Sequence, residues 1–322
     1  MSTDSTNNRR ITEIINESLA VEYEDAKSAG MLGYMARALV QATLPHSDPK
    51  THYFERTNGL VTLSIVGRPK IGLPYGSIPR VLTAWICTEA VRTKDKDLML
   101  GRSQAEFMSK LQMQNDGRYI ASLKNQAHRL FSSLISLTGE HGDDIGLENV
   151  VIAKRAFLFW NPRKPDEPNL WESTLTLTQD FYDEVTRSPV PIDLRVLHAL
   201  RQSPLAMDIY TWLTYRVFLL RVKGRSEVII PWQALKAQFG SAYGKEIEGD
   251  NLTEQERKKV EGQALRNFKM KFLKRLKEVL LFYPEAKDAI SDDPSGLRIQ
   301  AARLHIKRDG KNPARLAPPP ST

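Results

Sequence analysis

Residues 256–281 read ERKKVEGQALRNFKMKFLKRLKEVLL. Val260, Ala264, Phe268, Phe272, Leu276 and Leu280 recur every fourth residue, and Leu265, Leu273 and Val279 widen the stripe. That period predicts an amphipathic helix packed on a core. The opposite face carries Lys259, Gln263, Arg266, Asn267, Met270, Lys274 and Lys277. Glu256, Glu261 and Glu278 are the only acids of the stretch, against Arg257, Lys258, Lys259, Arg266, Lys269, Lys271, Lys274, Arg275 and Lys277. A helix with one buried face and one face of Lys, Arg, Gln and Asn suits the DNA major groove. Lys and Arg neutralise phosphates, while Arg, Asn and Gln pair with base edges. A merely solvated helix face has the same charge pattern, so the rest of the chain must decide.

The 322 residues suffice for about two domains. A hydrophobic content of 41% fills real cores, and the net charge of +8 favours nucleic acid or another anionic partner. No apolar run approaches the ~20 residues of a membrane span, so no membrane partner is expected. The leading residues MSTDSTNNRRITEIINES lack an apolar signal core, which argues against secretion. The single cysteine, Cys87, excludes an internal disulfide and fits a reducing bacterial cytoplasm. It lies in a helical pattern and reads as a buried thiol, not a nucleophile.

Along the chain, residues 1–30 read as a flexible N-terminal arm. A short helix is predicted over 31–44. Asn58-Gly59 between two strand-like runs predicts a hairpin. Ile78–Arg92 reads as a buried helix with Pro79 in its first turn, and Asp97–Leu100 as a strand. Ser103 caps the next helix, with Glu106 completing a capping box. The stretch 117–137, GRYIASLKNQAHRLFSSLISL, reads as one helix throughout. Its apolar face includes Leu123, Ala127, Leu130 and Leu134, and its outer face Arg118, Ser122, Asn125, Arg129 and Ser132. Two helices joined by a short turn, the second with polar groups outward, make a helix-turn-helix pattern. Two apolar runs, 150–160 and 171–178, flank the Pro-rich NPRKPDEPNL, which predicts a hairpin with a charged tip at Arg163 and Lys164. A hairpin in that place is the wing of a winged helix.

Two prolines in SPVPIDL, 188–194, mark the boundary. After it the order recurs: helices over 192–200 and 205–221, a strand at 227–230, a helix opened by Pro231 and closed by Gly240, the basic helix ended by Pro284, and a strand over 296–307. The tail from 309 reads as disordered. The expected fold is mainly α with small β hairpins, as two tandem winged-helix domains, 31–187 and 188–308. The first domain is the expected seat of dimerisation, near Tyr53, Leu60 and Leu63.

The stretches GLPYGSIPRVLTAWICTEAVRT, LGRSQAEFMSKL, QAHRLFSSLISL, TLTQDFYDEVTRSPVPID, SPLAMDIYTWLTYR and WQALKAQFG resemble the RepA-type initiators of theta-replicating plasmids, over residues 70–305. The resemblance implies two winged-helix domains and binding of direct repeats, the iterons, in the origin duplex. It also implies monomer–dimer self-association, repression of the protein's own promoter by the dimer, and recruitment of the host helicase and initiator. By the same resemblance the basic helix lies in the iteron major groove. Lys259, Gln263, Arg266, Asn267, Lys274 and Lys277 then contact DNA, and Arg118, Ser122, Asn125 and Arg129 contribute from the first domain.

No phosphate-cradling G-x-x-x-x-G-K-[ST] or G-x-G-x-x-G loop is present, and no G-x-S-x-G elbow, so neither a nucleotide cofactor nor an enzymatic role is expected. The six histidines, 46, 52, 128, 141, 198 and 305, form no His-x-His pair, and no metal is expected. One enzymatic alternative stands out. His198-Ala-Leu-Arg201 matches the H-x-x-R element of tyrosine recombinases, with Tyr210, Tyr215 and Tyr243 as candidate nucleophiles. The other alternative is a transcriptional regulator or partition protein of the same fold.

Overall fold

A computed structural model describes residues 10, 13–15, 17–18, 21, 24–41, 43–58, 61–113, 117–141, 144–161, 163–170, 172–240 and 253–306. The chain divides into two compact units. One holds residues 33–55 and 60–191, the other residues 192–309 together with 1–32 and 56–59. They are called the leading and trailing units below. The structure is mixed α and β, with small antiparallel sheets.

The stretch predicted as a helix over 31–44 divides. β1 (Leu32–Met35) is extended and joins β9 (Val190–Asp193) in a two-stranded sheet, and only α1 (Arg37–Gln41) is helical. The Tyr34 N–H is satisfied by Thr88 Oγ1 at 2.9 Å, so this backbone has a partner outside a helix. β2 (Tyr53–Asn58) and β3 (Val61–Val66) are neighbours in one sheet, as the Asn58-Gly59 signal predicts. The turn itself lies outside the described residues.

α2 (Ser77–Thr93) is buried along Val81, Leu82, Ile86 and Cys87. Burial pushes the Cys87 thiol far up, which makes it inert. β4 (Asp97–Gly101) follows. The Ser103 hydroxyl then accepts from the Glu106 N–H and opens α3 (Gln104–Lys110), and the Glu106 carboxylate accepts from the Arg102 N–H at 2.8 Å.

The predicted long helix 117–137 stops early. α4 spans Gly117–Ser132, and Leu134 opens β5 (Leu134–His141), which pairs residue for residue with β3 from Val66 back to Val61. β6 (Asp144–Val150) continues that sheet as a hairpin with β5. Leu134, expected on the helix's apolar face, is exposed on a strand. Leu63, expected in a dimer surface, is buried; Tyr53 is exposed, and Leu60 lies outside the described residues. β7 (Ala153–Phe157) and β8 (Ser173–Leu177) flank the Pro-rich loop, and α5 (Gln179–Arg187) closes the unit. The sheet order is β4-β8-β7.

In the trailing unit, α6 (Leu194–Ala199) precedes α7 (Pro204–Val222), whose Ile209, Tyr210, Leu213 and Val217 are fully buried. β10 (Glu227–Ile230) leads to α8 (Trp232–Phe239), with Pro231 as its N-cap. α9 (Glu254–Phe282) is the basic helix; Pro284 starts a single 3-10 turn after it. β11 (Ile290–Asp293), which sequence reading missed, and β12 (Gly296–Gln300) complete a sheet of order β10-β12-β11. β12 starts on a glycine because a Cβ at 296 would collide with the Ile230 carbonyl. Each unit therefore builds its three-stranded sheet in the same order. A helix, a strand and two further helices precede two strands, and the last strand takes the centre; in the leading unit β5 and β6 intervene.

The expected N-terminal arm is packed where it is described. Ile14, Val21 and Ala26 are buried, and the Glu24 carbonyl accepts from Arg195 at 2.7 Å. Burying these three side chains removes apolar surface from water, while Ile15 stays exposed. The loop 241–252 and the tail from 307 lie outside the described residues.

Candidate nucleic-acid interface

α9 starts at a full capping box. The Thr253 hydroxyl accepts from the Glu256 N–H, and the Glu256 carboxylate accepts from the Thr253 N–H at 2.9 Å. The Thr253 hydroxyl also donates to that carboxylate at 2.7 Å, and this bond together with the Thr253 N–H holds the Glu256 carboxyl below its ordinary range. Residues 254–259 are all exposed, and the first fully buried side chain is Phe268. About 20 Å of helix therefore precedes the anchored part.

The anchor is aromatic. Phe272 has zero exposure and lies against Trp212, Trp232, Phe239 and Phe268, with ring centroids 5.5–6.4 Å apart. Leu276, Val279 and Phe282 continue the buried stripe. Lys269, read from sequence as one more cation, has a specific place. Its ammonium meets Asp292 at 2.7 Å and sits 4.9 Å from the Trp232 ring centre, and the Trp232 indole N–H donates to the same carboxylate at 3.2 Å. This clamp ties α9 to α8 and β11. Glu278 is buried and takes Arg275 at 2.5 Å and Arg10 at 2.9 Å. Burial lowers the Arg10 pKa, and Glu278 opposes that shift. Neither the clamp nor the Arg10–Glu278 pair is visible in helical spacing, because each needs a partner far away in sequence.

The outward face keeps the predicted residues together. Lys259, Gln263, Arg266, Asn267, Met270, Lys274 and Lys277 are exposed along α9. Gln263 links two of them: its carbonyl oxygen accepts from Arg266, and its amide donates to Asn267 Oδ1 at 3.0 Å.

α4 in the leading unit departs from expectation. Ser122 and Asn125 are exposed, and the Arg118 side chain lies outside the description. Arg129 is drawn inward, with 16% of its side chain exposed. It donates to the Leu73 carbonyl at 3.0 Å and to Asn125 Oδ1 at 2.8 Å, lies 3.8 Å from Asp48, and covers the Tyr75 ring at 5.2 Å. Gly72, at φ 84°, lets the loop close on it, since a Cβ there would sit 2.8 Å from Nη1. Arg129 is a structural staple for residues 48–75. Arg163 and Lys164 at the hairpin tip are exposed, and Lys164 pairs with Glu167 at 2.7 Å.

The H-x-x-R reading loses one of its three candidate nucleophiles. Tyr210 has zero exposure, accepts the Asp193 N–H at 2.7 Å, and burial raises its pKa well above the usual value. Such a phenol cannot reach a phosphodiester. Burial holds His198 at about 4, so it is neutral near pH 7. Tyr215 stacks beside Phe218, and Tyr243 lies outside the described residues. Among the described residues, no group of three or more His, Cys, Asp or Glu is arranged to hold a metal, and no helix is long and apolar enough to cross a membrane.

The model of a family described as plasmid-encoded RepA protein, RepA_C, matches residues 73–234, which is 162 of the 322 residues. The chain belongs to the RepA_C family. That family is one of plasmid replication initiators. The RepA_C match runs from the loop held by Arg129 into the first turn of α8 and stops short of α9. No curated protein matches the chain. Among solved structures, a crystal structure of selenomethionine derivatives of domains 2 and 3 of RctB aligns with a TM-score of 0.48 and 11% identity, over 82% of this chain and 95% of that one. A second structure of RctB domains 2–3 aligns with a TM-score of 0.44 and 12% identity, over 81% and 96%.

Proposed function

We propose that this RepA_C protein is a non-enzymatic initiator that binds direct repeats of origin duplex through α9. The observation that carries the reading is the single face of α9. It is buried behind on Phe268, Phe272 and Leu276, and exposed in front as Lys259, Gln263, Arg266, Asn267, Lys274 and Lys277. Each unit is read as a winged helix. In that arrangement the helix before the hairpin enters a major groove about 12 Å wide. Gln263, Arg266 and Asn267 take the base edges, and Lys259, Lys274 and Lys277 the flanking phosphates. Ser122 and Asn125 of α4 give a second, weaker contact.

Membership of the family supports the rest of the reading. Repeats in the origin are iterons, the bound protein recruits the host helicase and initiator, and a dimer represses its own promoter. No cofactor or membrane enters. Footprinting the full-length protein on its plasmid's origin tests this. Protection of an array of direct repeats is expected, and uniform protection of any sequence refutes it. A transcriptional regulator or partition protein would also leave a footprint. A minimal plasmid carrying only the gene and the repeats separates these readings by replicating or failing to replicate.

A further inference from the structure

Away from α9, aromatic and basic side chains meet on the open face of the β4-β8-β7 sheet. The strand register sets Asp97, Thr176 and Arg155 in one row and Met99, Thr174 and Phe157 in the next. Leu98, Leu175 and Ala156 align on the other side, where both leucines are buried. Phe159 lies two residues beyond Phe157 and falls on the same side. Its N–H donates to Ser173 Oγ at 2.9 Å, which fixes the backbone past the strand end. Phe157 and Phe159 are 47% and 40% exposed, and Met99 is 48% exposed. The two rings lie 6° from parallel, with centroids 6.1 Å apart. β7 is an edge strand of the sheet.

Exposed cations flank the rings along the chain. Lys154 and Arg155 precede them on β7, and Arg163 follows in the loop. No ion pair within the described residues engages these three. Of the acids on these strands and this loop, Asp97 accepts from the Thr176 hydroxyl at 2.6 Å, Glu167 holds Lys164, Glu172 lies 3.8 Å from Arg102, and Asp166 is exposed.

We propose that this face binds single-stranded DNA, with bases stacked on Phe157 and Phe159 and phosphates along Lys154, Arg155 and Arg163. Two exposed rings with cations on either side of them in the chain are what favour that occupant. The centre of a protein–protein interface is rich in aromatic residues, Met and Arg but depleted of Lys, whereas a strand-binding groove combines stacking rings with a cationic track that includes Lys. Here exposed Lys154 and the short, polar Thr174 and Thr176 accompany the rings. Paired bases hide their faces inside the duplex, so the rings have no use on the DNA that α9 is proposed to read. The ligand is the unpaired strand that opening an origin would release. The site uses a different unit from α9 and stands without the duplex reading.

The test is fluorescence anisotropy on the full-length protein with labelled oligo(dT) of about 20 nucleotides, run beside a labelled duplex carrying the origin repeats. The parent is expected to bind oligo(dT). The exposed pair Phe157→Ala/Phe159→Ala is expected to lose at least about tenfold of that affinity while duplex binding stays within about twofold. Phe157→Trp/Phe159→Trp is expected to restore it. A parent that ignores oligo(dT), or an alanine pair that binds it as well as the parent, overturns the proposal. So does an alanine pair whose only change is a shift of the sedimenting species, which would mark a protein-binding face. Loss of duplex binding by the parent removes the α9 reading and leaves the oligo(dT) result as it stands.

Discussion

The Gln263 carbonyl oxygen accepts two hydrogen bonds from Arg266, 3.3 Å from Nε and 2.8 Å from Nη2. Both residues lie on the water-facing side of α9, one turn apart. The guanidinium fork is therefore held in one orientation, and its remaining N–H groups are presented together. A fork fixed in advance loses less side-chain freedom on pairing with a base.

Arg266→Ala and Asn267→Ala are expected to cost about 1–3 kcal/mol each on a repeat duplex and much less on random duplex. Gln263→Ala is expected to be non-additive with Arg266→Ala, since one positions the other. Anisotropy titrations of the two singles and the double decide this. Equal losses on repeat and random DNA would make these phosphate contacts.

The logarithm of duplex affinity is expected to fall linearly with the logarithm of salt concentration. Lys259→Ala, Lys274→Ala and Lys277→Ala should each reduce the slope by about 1. Slopes that match the parent would remove these lysines from the interface.

Thr253→Ala removes one half of the capping box. Because the first turns of α9 are exposed, little global stability depends on them. The expected outcome is faster amide exchange over 254–260 and weaker duplex binding, with an almost unchanged melting temperature. Phe272→Ala is the opposite case. It empties the contact point of four aromatic rings and should cost about 3–5 kcal/mol, read from urea unfolding.

His198 Nδ1 and His305 Nε2 are shut off from solvent without a hydrogen-bond partner. Burial holds both rings at about 4, against an ordinary 6.5; Arg201 adds to the effect on His198, while Asp193 opposes it at His305. The unfolded chain therefore takes up these protons first. The stability they contribute is complete above about pH 6.5 and drains away as pH falls toward 4. Urea unfolding should show a loss of up to about 1.4 kcal/mol per pH unit for each ring between those limits. His305→Phe should remove its share of that slope. A profile flat from pH 7 to 5 would refute the account.

The helices are legible in the sequence because their apolar spacing is local. Phe268, Phe272 and Leu276 face the core as their period requires. The Ser103 cap opens α3 where the capping-box pattern predicts it. The Ser203 hydroxyl accepts from the Ala206 N–H at 3.3 Å and opens α7 beside its predicted start. The strands are less legible. Leu134 continues the helical period of Leu130 and Phe131, and only pairing with Val66 makes it extended. β11, ISDD, carries no apolar alternation at all and exists because β12 offers it a partner. At the candidate site, spacing is enough to place Gln263, Arg266 and Asn267 on one face. It fails at Arg129, where the deciding partners are the Leu73 carbonyl and Asp48, more than fifty residues away.

The Lys269–Asp292–Trp232 contact also sets the azimuth of α9. A helix turns by about 100° per residue, so rolling it by one position would swing every outward side chain through more than a quarter circle. With an ammonium pinned between a carboxylate and an indole, that roll is blocked before any ligand arrives. The dial is set during folding, and a partner meets a surface that needs no further aiming.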